Sequence, residues 1–422
     1  MPEAEALPPN SVIGIVGGGQ LGRMSALAAA RLGYRCHVLT DDPGSPAAQV
    51  AASITLGTHD DPAVLRRFAD AVDVVTFEFE NVSADGLDLL ASLRPVRPSG
   101  EILRISQDRL AEKRMLQAAR IAVAPWHAVM DRAGLDAAAR ALGYPFVLKT
   151  TRLGYDGKGQ AVLRDETGLD AAFARLSPHP LEHGQRDHAP LDGGKSRFIG
   201  RVGSRSDPTR TDAALVAERL VDFACELGVM VARGLDGTIR AYDTVQNRHR
   251  DHILDLTLAP APVTDEVARE AQALACRIAS HLQLVGLLGV ELFLDTHGAL
   301  LVNEIAPRPH NSGHWTMDAC PVSQFEMHVR AVAGLPLPAA TRHSDAVMKN
   351  LVGPEGLAWW PRVLQTEGLL GHLYGKSEAR PGRKMGHVNR LFPRGGLPGP
   401  FGIADALHPL PADEAPGGAD GV

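Results

Sequence analysis

A glycine turn, Gly17-x-Gly19-x-x-Gly22, stands between an apolar run over residues 12–16 and a helical pattern over residues 21–32. A second apolar run, "CHVLT", follows and ends beside Asp41. Strand, glycine turn, helix and strand in this order, with an acidic residue about 20 positions on, predict a βαβ unit with parallel strands. The glycines let the backbone turn sharply and bring its N–H groups to the positive end of a helix, which makes an anion site. The spacing leaves the anion open: the pyrophosphate of a nicotinamide or flavin dinucleotide and a single phosphate ester both satisfy it.

The alternation continues through "SITLG", "DPAVLRRFADA", "VDVVTFEF" and "ADGLDLLASL", which extends the unit into a doubly wound parallel α/β sheet up to about residue 100. "RPVRPSG" punctuates the chain there, and "QDRLAEKRMLQAARI" reads as the helix that opens a second, α+β part. Strands are expected in that part at "PFVLKTT", "QAVLR", "ALVAERL", "ELGVMVAR" and "TIRAYDTVQN", with a helix over residues 265–282 and a hairpin, "GVELFLDTHGALLVNEIAPRP", turning at residues 296–298. From residue 344 the chain is rich in Gly and Pro, and short strands and loops are expected. The expected division is 1–103, 104–343 and 344–422. Residues 178–211, dense in Gly, Ser, Arg, Asp, His and Pro, read as an exposed disordered insertion, and "MPEAEALPPNS" as a short disordered arm.

A chain of 422 residues, 45% hydrophobic and 22% charged, has room for two or three domains. Its net charge of −6 offers no basic footprint for nucleic acid or anionic lipid, so small-molecule ligands are expected and nucleic acid is not. No apolar run reaches the roughly 18 to 20 residues of a membrane span, and the N-terminus reads as neither signal nor transit peptide, which points to a cytoplasmic protein. Cys36, Cys225, Cys276 and Cys320 form no C-x-x-C pair and read as buried thiols. "DGGKS" lacks the first glycine of a P-loop, whose place is taken by Ala189. Trp359 and Trp360 read as core or interface.

Five stretches carry candidate chemistry. "TTRLGYDGKGQ" is either a glycine-rich hairpin or a loop that folds over a polyphosphate; Lys149, ending the apolar strand "FVLK", favours the second, since a buried ammonium needs an anionic partner. Glu291 and Glu304 lie on the two arms of the predicted hairpin, each in an apolar strand. With Asn303 they form either an oxygen-rich site suited to Mg²⁺ or an outward pair on a half-exposed sheet. His310-x-x-x-His314 has zinc-pair spacing, but Pro309, Ser312 and Gly313 disfavour a helix and no third ligand is evident, so a polar substrate loop with Arg308 as its cation is expected. Lys376, Arg383, Lys384 and His387 cluster in a turn-rich segment that is a solvated basic loop or a second anion site. Glu78 and Glu80 end an apolar strand in "VTFEFENV", so they should face the same crevice as the glycine turn, acceptors opposite donors.

In this order the chain resembles the ATP-grasp enzymes, and within them the N5-carboxyaminoimidazole ribonucleotide synthetase family. The resemblance rests on "GGGQLGRM", "FEFENV", "QDRLAEK", "GYDGKGQ", "ELGVMVAR", "NEIAPRPHNSGHW", "SQFEMHVRA" and "ARPGRKMGH", which cover residues 11 to about 389. It implies a parallel N-terminal domain, a central ATP-grasp domain with a lid, and a small β-rich C-terminal domain. The implied ATP site comprises Arg109, Lys149, the loop Gly154, Tyr155, Asp156, Gly157, Lys158, Gly159 and Gln160, the hinge Glu218, Arg219, Leu220 and Val221, Glu226 on the ribose, His249, Asn303 and Glu304. Glu291 and Glu304 would hold Mg²⁺.

The same resemblance places the phosphate of aminoimidazole ribonucleotide on the Gly19, Gln20 and Leu21 backbone with Lys376, Arg383 and Lys384. Tyr155, Asp156, Lys158, Glu80 and Arg308 would surround its base and ribose, with Asp156, Lys158 and Arg308 as the expected catalytic residues. ATP would activate bicarbonate as carboxyphosphate, and the amine of the ribonucleotide would be carboxylated. A homodimer is the family expectation. Three departures stand out: Leu153 where a further Gly is usual, the insertion, and a tail after about residue 393 without a motif. Two alternatives remain: a formate-dependent glycinamide ribonucleotide transformylase, which "PHNSGHW" argues against, and an NAD(P)-dependent oxidoreductase, which leaves Glu291, Glu304 and the glycine loop unexplained.

Overall fold

The computed structural model describes residues 6–152, 159–177, 215–399 and 402–408. Two units are distinguished, Met1–Ala124 with Val221–Val422, and Pro125–Leu220.

The larger unit begins with the predicted βαβ pattern: β1 (Val12–Val16), α1 (Gln20–Arg31), β2 (Arg35–Thr40), β3 (Ser53–Leu56), α2 (Pro62–Asp70), β4 (Val74–Phe77) and α3 (Ala84–Ala91). The strands pair in parallel in the order β3-β2-β1-β4. Ile13, Ile15, Val16, Val74 and Val75 are almost wholly buried, which is why these strands read as unbroken apolar runs. Two helices follow where the sequence suggested one. Ser99 caps α4 (Gly100–Gln107), and Asp108 ends it and caps α5 (Arg109–Ala118) by accepting the Leu110 and Ala111 N–H groups. The described part of the N-terminal arm, from residue 6, departs from the expectation of disorder: Leu7 donates its N–H to the Ala333 carbonyl, and its carbonyl accepts from the Tyr34 hydroxyl.

The smaller unit is an antiparallel sheet of β5 (Trp126–Val129), β6 (Phe146–Thr150), β7 (Gln160–Leu163) and β8 (Leu215–Arg219), ordered β5-β8-β6-β7. Helices Arg132–Leu142 and Leu169–Leu176 cover it, burying Val129, Phe146, Leu148, Leu215 and Ala217.

The larger unit resumes with β9 (Phe223–Arg233), β10 (Ile239–Ala241), β11 (Val245–Arg250), β12 (Ile253–Ala259), β13 (Gly286–Asp295), β14 (Leu300–Ala306), β15 (Asp345–Val352), β16 (Leu369–Leu373) and β17 (Lys384–Phe392). They form one sheet in the order β14-β13-β9-β11-β12-β15-β17-β16, with β10 also on β9. "TIRAYDTVQN", expected as one strand, is split between β10 and β11. The helix Asp265–His281 packs Ala271, Leu274, Ala275 and Ile278 against Leu227, Val229, Leu288 and Val290, so one face of this sheet is dry core. β12 pairs antiparallel with β15, so the sheet runs without a break across residue 344. Trp359 and Trp360 pack partly buried against the core of the last strands. The four cysteines are free thiols, two buried and two half-buried.

Candidate active site

β13 and β14 form the predicted hairpin, and Glu291 stands opposite Glu304 in register. One step on, Leu292 faces Val302, so Asn303 is an extra residue, a β-bulge. A regular strand turns neighbouring residues to opposite faces. The bulge breaks that alternation, and Asn303 and Glu304 are both half-buried between the buried Val302 and Ile305.

Arg109, at the start of α5, places Nη1 3.5 Å from Glu304 Oε2. One turn further, the buried Glu112 accepts the Ile305 N–H at 2.8 Å. Burial, with the Glu304 charge adding to it, raises the Glu112 carboxyl to about 8. Burial and Glu304 also push Glu291 up. The hard oxygens of Glu291 and Glu304 fit Mg²⁺, which takes one or two carboxylates and completes its shell with water and phosphate oxygens. Among the described residues no group of three or more His, Cys, Asp or Glu is arranged to hold a metal by itself.

Two histidines flank the pair. His310 Nε2 lies 3.5 Å from Glu291 Oε1. Gly289 makes room for that ring, since a Cβ there would stand 2.9 Å from the Cβ of His310. Burial, then the Arg308 charge, keeps His310 well below the usual histidine range. His249 pairs with Glu226 of β9. Burial pulls His249 down, but the hydrogen bond and charge of Glu226 and the charge of Glu291 outweigh it, and its pKa is raised.

The loop after β14 is clamped by one buried side chain that sequence reading missed. Gln324 accepts the His310 N–H at 2.9 Å, donates to the His310 carbonyl at 2.8 Å, and meets His314 Nδ1 at 2.8 Å. Arg308 pairs with Glu80 and donates to the Pro309 carbonyl. Among the described residues its Nε and both polar atoms of the Asn311 amide are buried with no hydrogen-bond partner, so their hydrogen-bonding capacity is unspent. Asn311 was absent from the sequence-derived candidates; its signal was its place in a polar loop directly after the carboxylate hairpin.

At the glycine turn, donors and acceptors meet as expected, but each other. The buried Glu78 accepts the Gly19 N–H at 2.6 Å and the Gly22 N–H at 3.0 Å. Gly19 is the N-cap of α1 and supplies no side-chain cap. Glu78 therefore satisfies, from just past the end of β4, the N-cap and N3 donors that a capping box would satisfy locally. The glycines make room for this side chain: a Cβ on Gly17 would stand 2.6 Å from Glu78 Cγ, and one on Gly19 2.5 Å from Glu78 Oε1. The turn's donors are thus taken by a carboxyl of the chain itself. Burial pushes Glu78 up, against its two backbone hydrogen bonds and the charges of Arg308 and Lys376.

The basic C-terminal residues separate. Lys376 donates to the Lys384 carbonyl at 2.6 Å and its charge reaches Glu78. Arg383 donates to the Glu378 carbonyl at 2.8 Å. Lys384, opening β17, exerts its charge at His249, Glu291, His310 and His314. His387, grouped with them in the sequence, is instead fully buried inside β17, three residues past its start, with Nδ1 3.0 Å from the Tyr374 hydroxyl.

In the smaller unit, Lys149 of β6 sits opposite Gln160 of β7 and holds Glu218 Oε2 at 3.3 Å. This supplies the anionic partner that a buried ammonium demands. The Arg219 and Leu220 N–H groups donate to the Pro125 and Pro145 carbonyls, and the Arg219 guanidinium to the Leu142 carbonyl. Gly159 is described, with φ of 71°. Leu153, Gly154, Tyr155, Asp156, Gly157, Lys158 and the insertion 178–211 lie outside the described residues.

A parallel N-terminal sheet, a small antiparallel unit holding a lysine, and a large sheet bearing paired carboxylates define an ATP-grasp ligase. Sequence models of three domain families match in succession: the ribonucleotide synthetase preATP-grasp domain over 11–107, the ATP-grasp domain over 114–181 and 203–325, and the phosphoribosylaminoimidazole carboxylase C-terminal domain over 346–394. The N5-carboxyaminoimidazole ribonucleotide synthase of Brucella melitensis biotype 1 is 44% identical over 92% of this chain and 98% of its own. That of Bacillus subtilis is 39% identical over 90% and 91%. The Staphylococcus aureus synthetase structure complexed with ADP superposes with a TM-score of 0.80 at 34% identity, covering 92% of this chain and 94% of that one. The Aspergillus clavatus synthase structure with ADP and 5-aminoimidazole ribonucleotide gives 0.79 at 30% identity, covering 95% and 97%. The chain belongs to the N5-carboxyaminoimidazole ribonucleotide synthase family, and it is a ligase that forms a C–N bond.

Proposed function

We propose that the protein uses ATP and bicarbonate to carboxylate the amine of 5-aminoimidazole ribonucleotide, giving N5-carboxyaminoimidazole ribonucleotide, ADP and phosphate in purine biosynthesis. The observation that carries this reading is the in-register Glu291–Glu304 pair, on a chain that matches the synthases over nine-tenths of its length. The ligands named for the Aspergillus clavatus relative support both substrates.

Bicarbonate is a poor electrophile. Transfer of the γ-phosphoryl group to a bicarbonate oxygen releases ADP and leaves carboxyphosphate, which breaks down to phosphate and CO₂; the substrate amine then attacks the carbon and loses a proton. Glu291 and Glu304, with Asn303, would hold Mg²⁺, which when bound neutralises charge on the phosphoryl oxygens. Lys149 adds a fixed cation held by Glu218, and Arg308 with Asn311 orients the small oxyanion. Arg109, Glu226, His249, the hinge 218–221 and the loop 154–160 serve the nucleotide. Because Gly19 gives its N–H to Glu78, the expected phosphate site is left with the Gln20 and Leu21 N–H groups, and these with Lys376, Arg383 and Lys384 serve the ribonucleotide phosphate, while Glu80, Tyr155 and Lys158 flank its base and ribose. Asp156 positions the amine or takes its proton. The three-part division at 103 and 343, a homodimer and a cytoplasmic location belong to the same reading; light scattering checks the dimer. The test is ADP release in ATP, Mg²⁺ and bicarbonate with aminoimidazole or glycinamide ribonucleotide in turn. Turnover should depend on the first, and dependence on glycinamide ribonucleotide with formate would replace this reading with the transformylase.

A further inference from the structure

We propose that Glu112 is a positioning residue for the Glu291–Glu304 pair, fixing the bulge that brings Glu304 opposite Glu291. This rests on the reading that the pair holds Mg²⁺.

β14 is the outer strand of its sheet, with β13 on one side only. Its outward N–H groups therefore need partners from elsewhere. Two find them on either side of Asn303: Val302 donates to the Ala122 carbonyl at 2.9 Å, and Ile305 donates to Glu112 Oε1 at 2.8 Å. A bulge leaves its extra residue outside the ladder, so the contacts that flank it decide how it is held. One of the two here is a side chain. Glu112 is only 3% exposed, and Arg109, at the i−3 position on the same helix, reaches the Glu304 carboxylate itself. One turn of α5 thus grips both the Glu304 side chain and the peptide that follows it. Without Glu112 the Ile305 N–H is left buried beside the bulge, and Glu304 loses the constraint on its backbone.

The test uses Mn²⁺ as a spectroscopic probe in the full-length protein with a non-hydrolysable ATP analogue, its binding followed by electron paramagnetic resonance. Glu112→Gln keeps an oxygen acceptor, and Glu112→Leu removes it at similar volume. Glu112→Leu should weaken Mn²⁺ binding about tenfold or more, the range seen when groups supporting metal ligands are lost, and Glu112→Gln should restore binding close to wild type. Hydrogen exchange at the Ile305 amide should speed up in Glu112→Leu and not in Glu112→Gln; if the leucine variant does not fold, Glu112→Met takes its place. Wild-type Mn²⁺ affinity in the leucine or methionine variant, or a glutamine variant as weak as either, would overturn the proposal. Glu291→Gln separates the two levels. If it binds Mn²⁺ as wild type does, the metal reading fails; if it is weakened while Glu112→Leu is not, only the role of Glu112 fails.

Discussion

At the residue scale, Glu78 governs the start of α1. It takes the Gly19 and Gly22 N–H groups and leaves those of Gln20 and Leu21 at the helix terminus. Truncation would leave one buried and one half-buried donor and a gap between Gly17 and Gly19. Glu78→Ala is expected to lower stability by ~2–4 kcal/mol in urea unfolding, and Glu78→Gln, which keeps one acceptor, by about half as much. An unchanged midpoint would show that the turn does not depend on this side chain. Glu304→Gln is the contrasting case: it is half-buried and near isosteric, so the unfolding midpoint should move little while turnover is abolished, and a variant that turns over at the wild-type rate would remove Glu304 from the metal site. "FEFENV" sets two carboxylates at a strand end expected to face the glycine turn, but spacing does not reveal that one is spent on the turn's own donors. That depends on a contact 56 to 59 residues away in sequence.

At the scale of elements, the hairpin was legible because its two arms are close in sequence and each carries one Glu in an apolar strand. Its bulge also left a signal, two adjacent polar residues, Asn303 and Glu304, where period two allows one. The role of α5 was not legible: Glu112 looks like any solvated helix glutamate until Ile305, 193 residues on, is packed against it. Its pH behaviour follows. A carboxyl raised in the folded state from 4.5 to about 8 holds its proton more tightly there than in the unfolded chain. Its contribution is therefore most favourable below the unfolded value and is lost as pH rises toward 8, at roughly 1.4 kcal/mol per unit of separation. Metal-free wild type should lose stability relative to Glu112→Gln as pH rises from about 5 to 8 in urea unfolding. Parallel stability profiles would contradict the raised pKa.

At the scale of the molecule, the last strands are not an appendage, because β15 continues the sheet that carries the carboxylate hairpin. The seam holds a buried ion pair, Lys349 Nζ 2.6 Å from both Asp255 oxygens. Removing one partner of such a pair strands the other charge, so Lys349→Met should cost about 3 kcal/mol, and adding Asp255→Leu should recover much of it; a single variant as stable as wild type would show that the seam does not rely on the pair. Composition points to short strands and loops there, because the Gly- and Pro-rich connections before and after β16 mask two long strands with buried centres, β15 and β17. The parallel sheet and the family were readable throughout, because motifs survive in chain order even where their contacts are distant. Among the described residues no helix is long and apolar enough to cross a membrane. The carboxylation is tested by ADP release from the wild-type protein in ATP, Mg²⁺ and bicarbonate, with and without 5-aminoimidazole ribonucleotide. Release that requires the ribonucleotide and yields its N5-carboxylated product is the predicted result. Release indifferent to the ribonucleotide, or none at all from folded protein, would contradict the account.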